Sequence, residues 1–349
     1  VDATFANAAH VTKIDLVNNR LAPNPMEPRA AIGHYNRAGD DYTLYVSNQN
    51  PHVERLLLTA FVMGLPEHKV RVIAPDVGGG FGAKNFLFPE YVLALWAARK
   101  LGRAIYWQAE PSEEFAAAVH GRDLRAKARL ALDKAGRFLA LEISSVADMG
   151  AYLSAVGPHC PTNAFSTAMG GVYAIPAMHL EVRGAFTNSL PVDAYRGAGK
   201  PEANYIIERL VDDAARVLGR DPAALRAMNM LPDAPHRTAM GMAVDGGRFA
   251  ANLAVLDKAS DAAGFAARRA AAARRGMLLG RGIACFLETA RGAPGEWASV
   301  AVDTSGHATA AIGTQSNGQG HETSYAQIVA DRLGMTPADI RILQADTQL

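Results

Sequence analysis

Residues 69–85, KVRVIAPDVGGGFGAKN, carry an alternating apolar run that meets three consecutive glycines. The run predicts a β-strand, and the following segment, Asn85–Gly102, predicts a helix. Glycine adopts positive φ without strain and lets another group approach the backbone closely. Successive backbone N–H groups can face an anion or an oxo group. We therefore predict that this glycine turn (Gly78–Gly82) holds a redox cofactor and that the rest of the chain surrounds it.

The composition is that of an ordinary globular protein. A length of 349 residues predicts roughly two domains. With 49% hydrophobic and 20% charged residues, the chain can form a large core. The net charge of +1 gives no indication of nucleic acid or an anionic membrane as a partner.

Cysteine content and hydropathy favour a cytoplasmic protein. The two cysteines, Cys160 and Cys285, argue against a disulfide framework and indicate a reducing compartment. No apolar run approaches the roughly 18 residues that would span a bilayer. The chain starts at Val1 without a basic-then-apolar leader, so we expect a cut or processed start. A signal in a lost leader would instead give a periplasmic or membrane-associated protein.

The pattern of strands and helices favours an α+β fold with mixed sheets and packed helices over a clean doubly wound sheet. A turn-prone segment between Ala31–Tyr35 and Tyr42–Ser47 predicts a hairpin. A segment rich in Pro, Gly, His and Asp, Leu231–Gly247, predicts a boundary between a first domain at 1–235 and a second at 248–349. Other predicted elements are a buried-type strand at Ala104–Gln108, an amphipathic helix starting at Pro201, a helix at Asn252–Arg275 and a strand at Arg281–Glu288.

The glycine turn also matches part of the dinucleotide fingerprint, as Gly78-x-Gly80-x-x-Ala83. A NAD-binding domain would also need an acid about 20 residues on, closing a second strand. Here the acid, Glu110, lies beyond that strand. A NAD-binding dehydrogenase and a purely structural turn therefore remain as alternatives. No Cys or His cluster has metal-ligand spacing, so a metal would arrive inside an organic cofactor.

Four polar turns are candidates for ligand binding. They contain Gln49, Gly78–Gly82 with Phe81, Gln319-Gly320-His321, and Ala194-Tyr195-Arg196-Gly197. Glutamine offers both a donor and an acceptor, glycines expose backbone donors, and arginine adds a fixed charge. Together these turns could hold a polar, phosphorylated ligand, although each alone would also suit a solvated loop.

Five segments resemble one family in its own order along the chain. They are PMEPRA, SNQNPH, RVIAPDVGGGFGAK, AYRGAGKPEA and GTQSNGQGHET. This pattern resembles the molybdenum-binding large subunit of the xanthine dehydrogenase and aldehyde oxidase family, especially its carbon-monoxide-dehydrogenase-like bacterial branch. The resemblance implies the molybdenum-cofactor-binding fold of the xanthine oxidase type. It also implies a molybdopterin cofactor, in bacteria usually molybdopterin cytosine dinucleotide.

The resemblance implies a role for each candidate site residue. Gln49 would donate to the apical oxo group of molybdenum, Phe81 would line the substrate side, and Arg196 would orient substrate or an oxygen ligand. The cofactor contacts would be Gln49, Gly79, Gly80, Phe81, Gly82, Arg196, Gln319, Gly320 and His321. The metal itself would be held through the pterin dithiolene.

The resemblance also implies an activity and partners. The family hydroxylates a C–H centre with oxygen from water, and here the substrate would be an aldehyde or an aromatic N-heterocycle. Electrons would pass to [2Fe-2S] clusters on a small subunit and then to FAD on a medium subunit. The expected assembly is a dimer of heterotrimers.

Three departures from the family pattern narrow these expectations. Gly197 stands where carbon monoxide dehydrogenases carry a copper-binding cysteine, and without a thiolate there is no soft ligand for Cu(I). Asn85 stands where purine-oxidising relatives carry a glutamate, which disfavours purine oxidation. The family's general-base glutamate, in a Gly-x-Gly-Glu context, is absent. We therefore interpret the chain as a fragment that is inactive in isolation, with a non-catalytic remnant or assembly subunit as the alternative.

Overall fold

The computed structural model describes residues 1–288 and 295–349. The chain forms two compact units that alternate along the sequence. The first unit comprises Val1–Leu21 and Gly121–Thr289, and the second comprises Ala22–His120 and Ala290–Leu349. Among the described residues, no helix combines the length and the apolar character needed to cross a membrane.

The strands are β1 (His10–Asn18), β2 (Ala30–Asn36), β3 (Asp41–Val46), β4 (Val70–Ile73), β5 (Ile105–Gln108), β6 (Leu124–Leu132), β7 (Phe138–Gly150), β8 (Ala177–Phe186), β9 (His236–Arg237), β10 (Ala243–Val244), β11 (Ala298–Val302), β12 (Ala308–Ile312) and β13 (Ile340–Leu343). The α-helices are α1 (Asp2–Asn7), α2 (Pro51–Leu56), α3 (Pro89–Leu101), α4 (Pro111–Ala117), α5 (Phe165–Ala168), α6 (Lys200–Leu218), α7 (Pro222–Asn229), α8 (Phe249–Ala259), α9 (Phe265–Ala273) and α10 (His321–Leu333). A π-helical turn, Leu57–Met63, extends α2, and a 3₁₀ turn, Pro337–Asp339, precedes β13.

A four-stranded sheet in the order β1-β6-β7-β8 forms the framework of the first unit. Strands β6 and β7 form an antiparallel hairpin, and β8 runs parallel to β7. Helix α6 packs on β1 and β6 through Ile206, Ile207, Leu210 and Val211, which are fully buried. Burying each such side chain contributes roughly 1.5–3 kcal/mol, so this apolar stripe, predicted from its helical spacing, fixes α6 on the sheet.

Two sheets form the second unit. One has the order β4-β3-β2-β5, with β2 and β3 in the predicted hairpin and β4 parallel to β3. Gly33 on β2 lets α3 pack closely, because a Cβ there would overlap the backbone of Ala94. The other sheet has β12 between antiparallel β11 and parallel β13, and α10 covers it with Ala326 and Ala330.

The segment after β13 joins these two sheets. The Ala74 N–H donates to the carbonyl of Ala345 at 2.9 Å, and the Thr347 N–H donates to the carbonyl of Val72 at 3.1 Å. The end of the chain therefore pairs with β4 at the point where β4 leads into the glycine turn.

In the second unit one predicted element matches the structure and one differs from it. Helix α3 begins at Pro89, the start that Pro89-Glu90 predicts within the segment Asn85–Gly102, and it ends at Gly102. Phe88 is extended with φ −112° and ψ 149°, because a residue that precedes proline disfavours helical backbone angles. The predicted buried strand at Ala104–Gln108 is an edge strand, where Tyr106 is 63% exposed.

Two predicted elements of the first unit are wrong. The helix at Asn252–Arg275 is two helices, α8 and α9, separated by a turn in which Asp261 has φ 47°. The segment Arg281–Glu288 has no regular strand structure. Its apolar character matches β-propensity, but strands form only where a partner strand pairs with them.

Candidate functional site

The side chain of Gln49 lies against the glycine turn in the second unit. Its Oε1 accepts hydrogen bonds from the backbone N–H groups of Gly82 at 2.9 Å and Lys84 at 3.2 Å. A Cβ at Gly80 would overlap the Gln49 side chain. Because two fixed donors occupy Oε1, the orientation of the amide is set. Its Nε2 group has no acceptor among the described residues and is left to donate to a ligand.

The backbone of the glycine turn has positive φ at three positions, and the strain lies at Phe81. Gly79 and Gly82 have φ 93°, and Phe81 has φ 54°. A non-glycine residue in the left-handed region costs on the order of 1 kcal/mol, and such strain persists only where neighbouring contacts hold it. The Phe81 side chain is 42% exposed and is therefore accessible to a ligand.

The buried side chain of Lys84 supports the glycine turn through Glu27. The Nζ of Lys84, which is 1% exposed, donates to the Glu27 carbonyl at 2.7 Å, to Glu27 Oε2 at 3.0 Å and to Ser47 Oγ at 2.7 Å. Glu27 Oε2 also accepts from the N–H of Gly78 at 2.6 Å. Burial lowers the pKa of Lys84. Although burial opposes its ionisation, hydrogen bonds from Gly78 and Lys84 lower the pKa of Glu27.

Sequence reasoning missed Glu27 and Lys84 as residues that build the site. The signal was present, because both residues lie in the motifs PMEPRA and GGGFGAK that carry the family resemblance. A charged residue in a motif is normally interpreted as a surface or ligand contact. Here the charges of Lys84 and Glu27 pair with each other and stabilise the turn.

A second buried carboxyl lies behind Gln49. Glu54 of α2 is fully buried, and its Oε2 accepts from the side-chain amide of Asn48 at 3.1 Å, while Oε1 has no partner. Burial raises the pKa of Glu54 to about 8. This side chain is therefore largely a neutral acid near pH 7, and neither the motif nor the helical pattern indicated it.

The turn between β12 and α10 lies beside Gln49 within the second unit. Gln315 Nε2 donates to the carbonyl of Asn48 at 2.6 Å. Gln315 Oε1 and His321 Nδ1 are buried and have no hydrogen-bond partner within the part of the chain that the structure describes. The side chain of Gln319 turns back and accepts from the N–H of Asn317. The structure thus brings two predicted polar turns together, and their contact is made by Gln315, which sequence reasoning did not select.

The N-terminus of α10 offers a further group of donors. Gly320 precedes the helix with φ 78°, and no side chain caps the first turn. The first N–H groups of a helix have no internal acceptor, and the helix dipole favours an anion there. The unpartnered His321 Nδ1 lies in this first turn, so a phosphate could bind there through neutral donors.

Arg196 lies in the first unit, in the arginine loop (Ala194–Gly199) that precedes α6. Gly197, Ala198 and Gly199 have φ 96°, 42° and 92°. Arg196 is exposed and contributes to the wall of a cavity of about 890 Å³ within this unit, together with Tyr205, Arg209 and Phe286 among others. The wall also carries the carboxylates Glu208, Asp212 and Glu288, so the cavity combines two aromatic rings with charges of both signs, and a polar group of a ligand could be oriented there.

Comparison with known proteins decides the family. Molybdopterin cofactor-binding domain profiles match residues 1–230 and 256–349. The large chain of carbon monoxide dehydrogenase from Hydrogenophaga pseudoflava is 34% identical, over 99% of this chain and 45% of that one. The crystal structure of quinoline 2-oxidoreductase from Pseudomonas putida 86 superposes with a TM-score of 0.92 and 34% identity, over 99% of this chain and 46% of that one.

The chain belongs to the molybdenum-binding large-subunit family of xanthine dehydrogenases and aldehyde oxidases, in its carbon-monoxide-dehydrogenase-like branch. The large subunit of nicotine 6-hydroxylase from Paenarthrobacter nicotinovorans is a further relative, 33% identical over 96% of this chain and 43% of that one. The predicted α+β molybdopterin-binding fold is confirmed. The chain spans about half the length of these relatives.

The residues of this family member fit a molybdopterin. Gln49 Nε2 is an oriented neutral donor, and Gln315 Oε1 and His321 Nδ1 are buried polar atoms that lack a protein partner. Buried polar atoms normally have a hydrogen-bond partner, so a polar ligand would satisfy them. Among the described residues, no group of three or more His, Cys, Asp or Glu side chains is placed to hold a metal ion.

Proposed function

We propose that this chain is the cofactor-holding part of the large subunit of a molybdenum hydroxylase. The observation that carries the proposal is the fixed orientation of the Gln49 amide, whose Oε1 accepts from the N–H groups of Gly82 and Lys84. Beside it, the Gln315 side chain donates to the carbonyl of Asn48. When bound, the molybdopterin would supply the oxidative hydroxylation of a C–H bond with oxygen from water. The cofactor carries out the redox chemistry, while the protein binds the cofactor and orients the substrate.

Each site residue would make a specific contribution. The Gln49 amide would donate a neutral hydrogen bond to the metal's oxo group without competing for protons. Phe81 would present an apolar ring on the substrate side. Gly79, Gly80 and Gly82 would let the cofactor approach the backbone.

The remaining contacts would bind the cofactor's polar end and the substrate. The turn Gln319-Gly320-His321 would hold the pterin and phosphate groups at the start of α10, with Gln315 Oε1 accepting a hydrogen bond from the pterin. Arg196 would orient the substrate or an oxygen ligand through its charge.

The substrate we propose is an aromatic N-heterocycle or an aldehyde. Two relatives are named for the heterocycles nicotine and quinoline, which supports the first class. Gly197 in place of a cysteine removes the soft ligand that copper would need. Asn85 can act neither as an acid nor as an anion, so a purine is disfavoured.

We further propose the cytosine dinucleotide form of molybdopterin and two partner subunits in a dimer of heterotrimers in the cytoplasm. A [2Fe-2S] small subunit and an FAD medium subunit would accept the electrons. Several relatives are named as chains or subunits of larger complexes, which supports this assembly. We also propose domains at 1–235 and 248–349, in keeping with the two profile matches.

The test is to purify the full-length complex and to measure molybdenum, pterin and dye-linked oxidation of quinoline, nicotine and benzaldehyde. We expect stoichiometric molybdenum, turnover of at least one of these substrates, and loss of turnover in Gln49→Ala. A complex without metal and pterin would support a non-catalytic remnant instead. Nicotinamide binding without molybdenum would favour a NAD-binding dehydrogenase.

A further inference from the structure

Two consecutive residues at the entry to β6 adopt an unfavourable backbone conformation. Arg122 has φ 67° and Asp123 has φ 66°. The left-handed region is uncommon for residues with a Cβ, and two in succession are rarer still. Such strain is retained where the surrounding structure over-determines it, and it often marks a functional position.

Contacts on both sides hold this pair in place. Gly121 exchanges backbone hydrogen bonds with Leu21 at 2.8 and 3.1 Å. Asp123 Oδ2 accepts from Arg20 Nε at 2.6 Å, and the Asp123 carbonyl accepts from the N–H of Asp148 at 3.0 Å. These contacts fix the backbone of residues 121–123, and Gly121 lets Tyr195 pack closely, because a Cβ there would overlap the Tyr195 side chain.

The strained backbone directs the side chain of Arg122 to the arginine loop. Its Nη1 donates to the carbonyl of Tyr195 at 2.7 Å and its Nη2 to the carbonyl of Arg196 at 2.8 Å. Its guanidinium lies 4.8 Å from the centre of the Tyr195 ring and 3.5 Å from the carboxylate of Glu202. The side chain is only 8% exposed. A planar guanidinium can bridge two neighbouring carbonyls, whereas a lysine ammonium acts as a single point charge.

The arginine loop lies outside regular secondary structure between β8 and α6. A turn bond joins the Ala198 N–H to the Tyr195 carbonyl at 2.8 Å, and three successive positive φ values follow Arg196. The C-terminal end of the loop packs closely on the first unit, because a Cβ at Gly199 would overlap the carbonyl of Cys160. The two bonds from Arg122 attach its carbonyls to the β6 framework.

We propose that Arg122 is a positioning residue for Arg196. By holding the carbonyls of Tyr195 and Arg196, it fixes the backbone from which the Arg196 side chain reaches its ligand. The inference rests on the proposed function, since that function gives Arg196 its role.

The first test compares Arg122→Lys and Arg122→Gln with the matched control Arg125→Lys in the full-length complex. Arg125 is exposed and pairs with Asp15 at 3.1 Å. We expect kcat/KM to fall about tenfold for Arg122→Lys and about a hundredfold for Arg122→Gln, since small misplacements carry such costs. The control should match the wild type. A fall of less than twofold in both Arg122 variants would overturn the inference.

A readout without turnover is amide hydrogen exchange of residues 194–199 in the cofactor-free complex. Both Arg122 variants should exchange at least several-fold faster in this segment than the wild type and the control. The thermal midpoint should fall more in Arg122→Gln, which leaves the buried Glu202 carboxylate without its cation, than in Arg122→Lys. Unchanged exchange in a complex that retains turnover would overturn the positioning role of Arg122 and leave the proposed function intact.

A double-mutant cycle separates positioning from general stability. If Arg122 acts through Arg196, Arg122→Lys should reduce turnover in the wild type but have little further effect in an Arg196→Ala background. An equal fold-reduction in both backgrounds would overturn the positioning role. A wild-type complex without molybdenum or turnover would overturn the proposed function and this inference with it.

Discussion

The glycine turn of the second unit and the arginine loop of the first unit reach fixed conformations by different means. The glycine turn is held by residues of the motifs that carry the family resemblance, namely the Gln49 amide and Glu27, which pairs with the buried Lys84. The arginine loop is bonded to Arg122, which lies outside all five motifs and 73 positions from Tyr195 in the chain. The motifs can therefore include the residues that support a ligand-binding turn, or leave out such a residue. Substitutions can test that difference directly.

The largest effect is expected where the glycine turn meets Gln49. In Gly80→Ala the new Cβ would overlap the Gln49 side chain, so Gln49 must leave the N–H groups of Gly82 and Lys84. We expect turnover to fall at least about a hundredfold, because the oriented donor is lost. The overpacking should cost roughly 1–3 kcal/mol of unfolding free energy.

The matched control for this change is Gly280→Ala. Neither Gly80 nor Gly280 has a positive φ. A Cβ at Gly280 would lie more than 4 Å from the other atoms of the described residues outside its immediate chain neighbours. Dye-linked turnover and molybdenum content of both variants should be compared in the full-length complex. Retention of near wild-type turnover by Gly80→Ala would show that the orientation of Gln49 does not matter.

The next largest effect is expected from the buried pair below the glycine turn. Lys84→Met removes the cation and leaves the Glu27 carboxylate facing only Ser47 and the N–H of Gly78. Because the Glu27 side chain is 33% exposed, solvent limits the cost of losing its cation, which should be roughly 1–3 kcal/mol. Denaturant unfolding should show this loss, and Lys134→Met, at an exposed hairpin position, should change stability by less than about 0.5 kcal/mol. Equal stability of the two variants would mean that the pair does not support the turn.

A pH-dependent effect is expected from Glu54. Burial raises its pKa from the usual 4.5 to about 8, so between these values the folded state holds a proton that the unfolded state releases. The free energy of unfolding contributed by this group is therefore fully present below the lower value and is lost as pH rises through the higher one.

Glu54→Gln keeps the acceptor for Asn48 and removes the titration. Relative to the wild type, its free energy of unfolding should increase by roughly 2–4 kcal/mol between about pH 5 and about pH 9. Chemical denaturation across this range measures the difference directly. A difference that stays constant with pH would show that Glu54 is ionised in the folded state.

How far the sequence predicts this structure depends on the range of the interactions involved. The hairpin at β2–β3 and the amphipathic helix α6 are local patterns and were predicted correctly. The partner of Lys84 is 57 positions away, and no local pattern indicates it. Burial of Glu54 is equally invisible, since a glutamate on a short helix normally faces solvent.

The smallest effect tests whether the second polar turn belongs with the glycine turn. Gln315→Ala removes the bond to the Asn48 carbonyl and also removes an unpartnered acceptor, so the net cost to the cofactor-free protein should be about 1 kcal/mol or less. In the loaded complex the cost should be larger, because Oε1 would then accept a hydrogen bond from the pterin. Thermal unfolding and pterin retention should be measured with and without cofactor, using Gln327→Ala on the exposed side of α10 as the control. If Gln315→Ala lowers stability equally with and without cofactor, then Gln315 supports the turn through its hydrogen bond to Asn48 and does not contact the ligand.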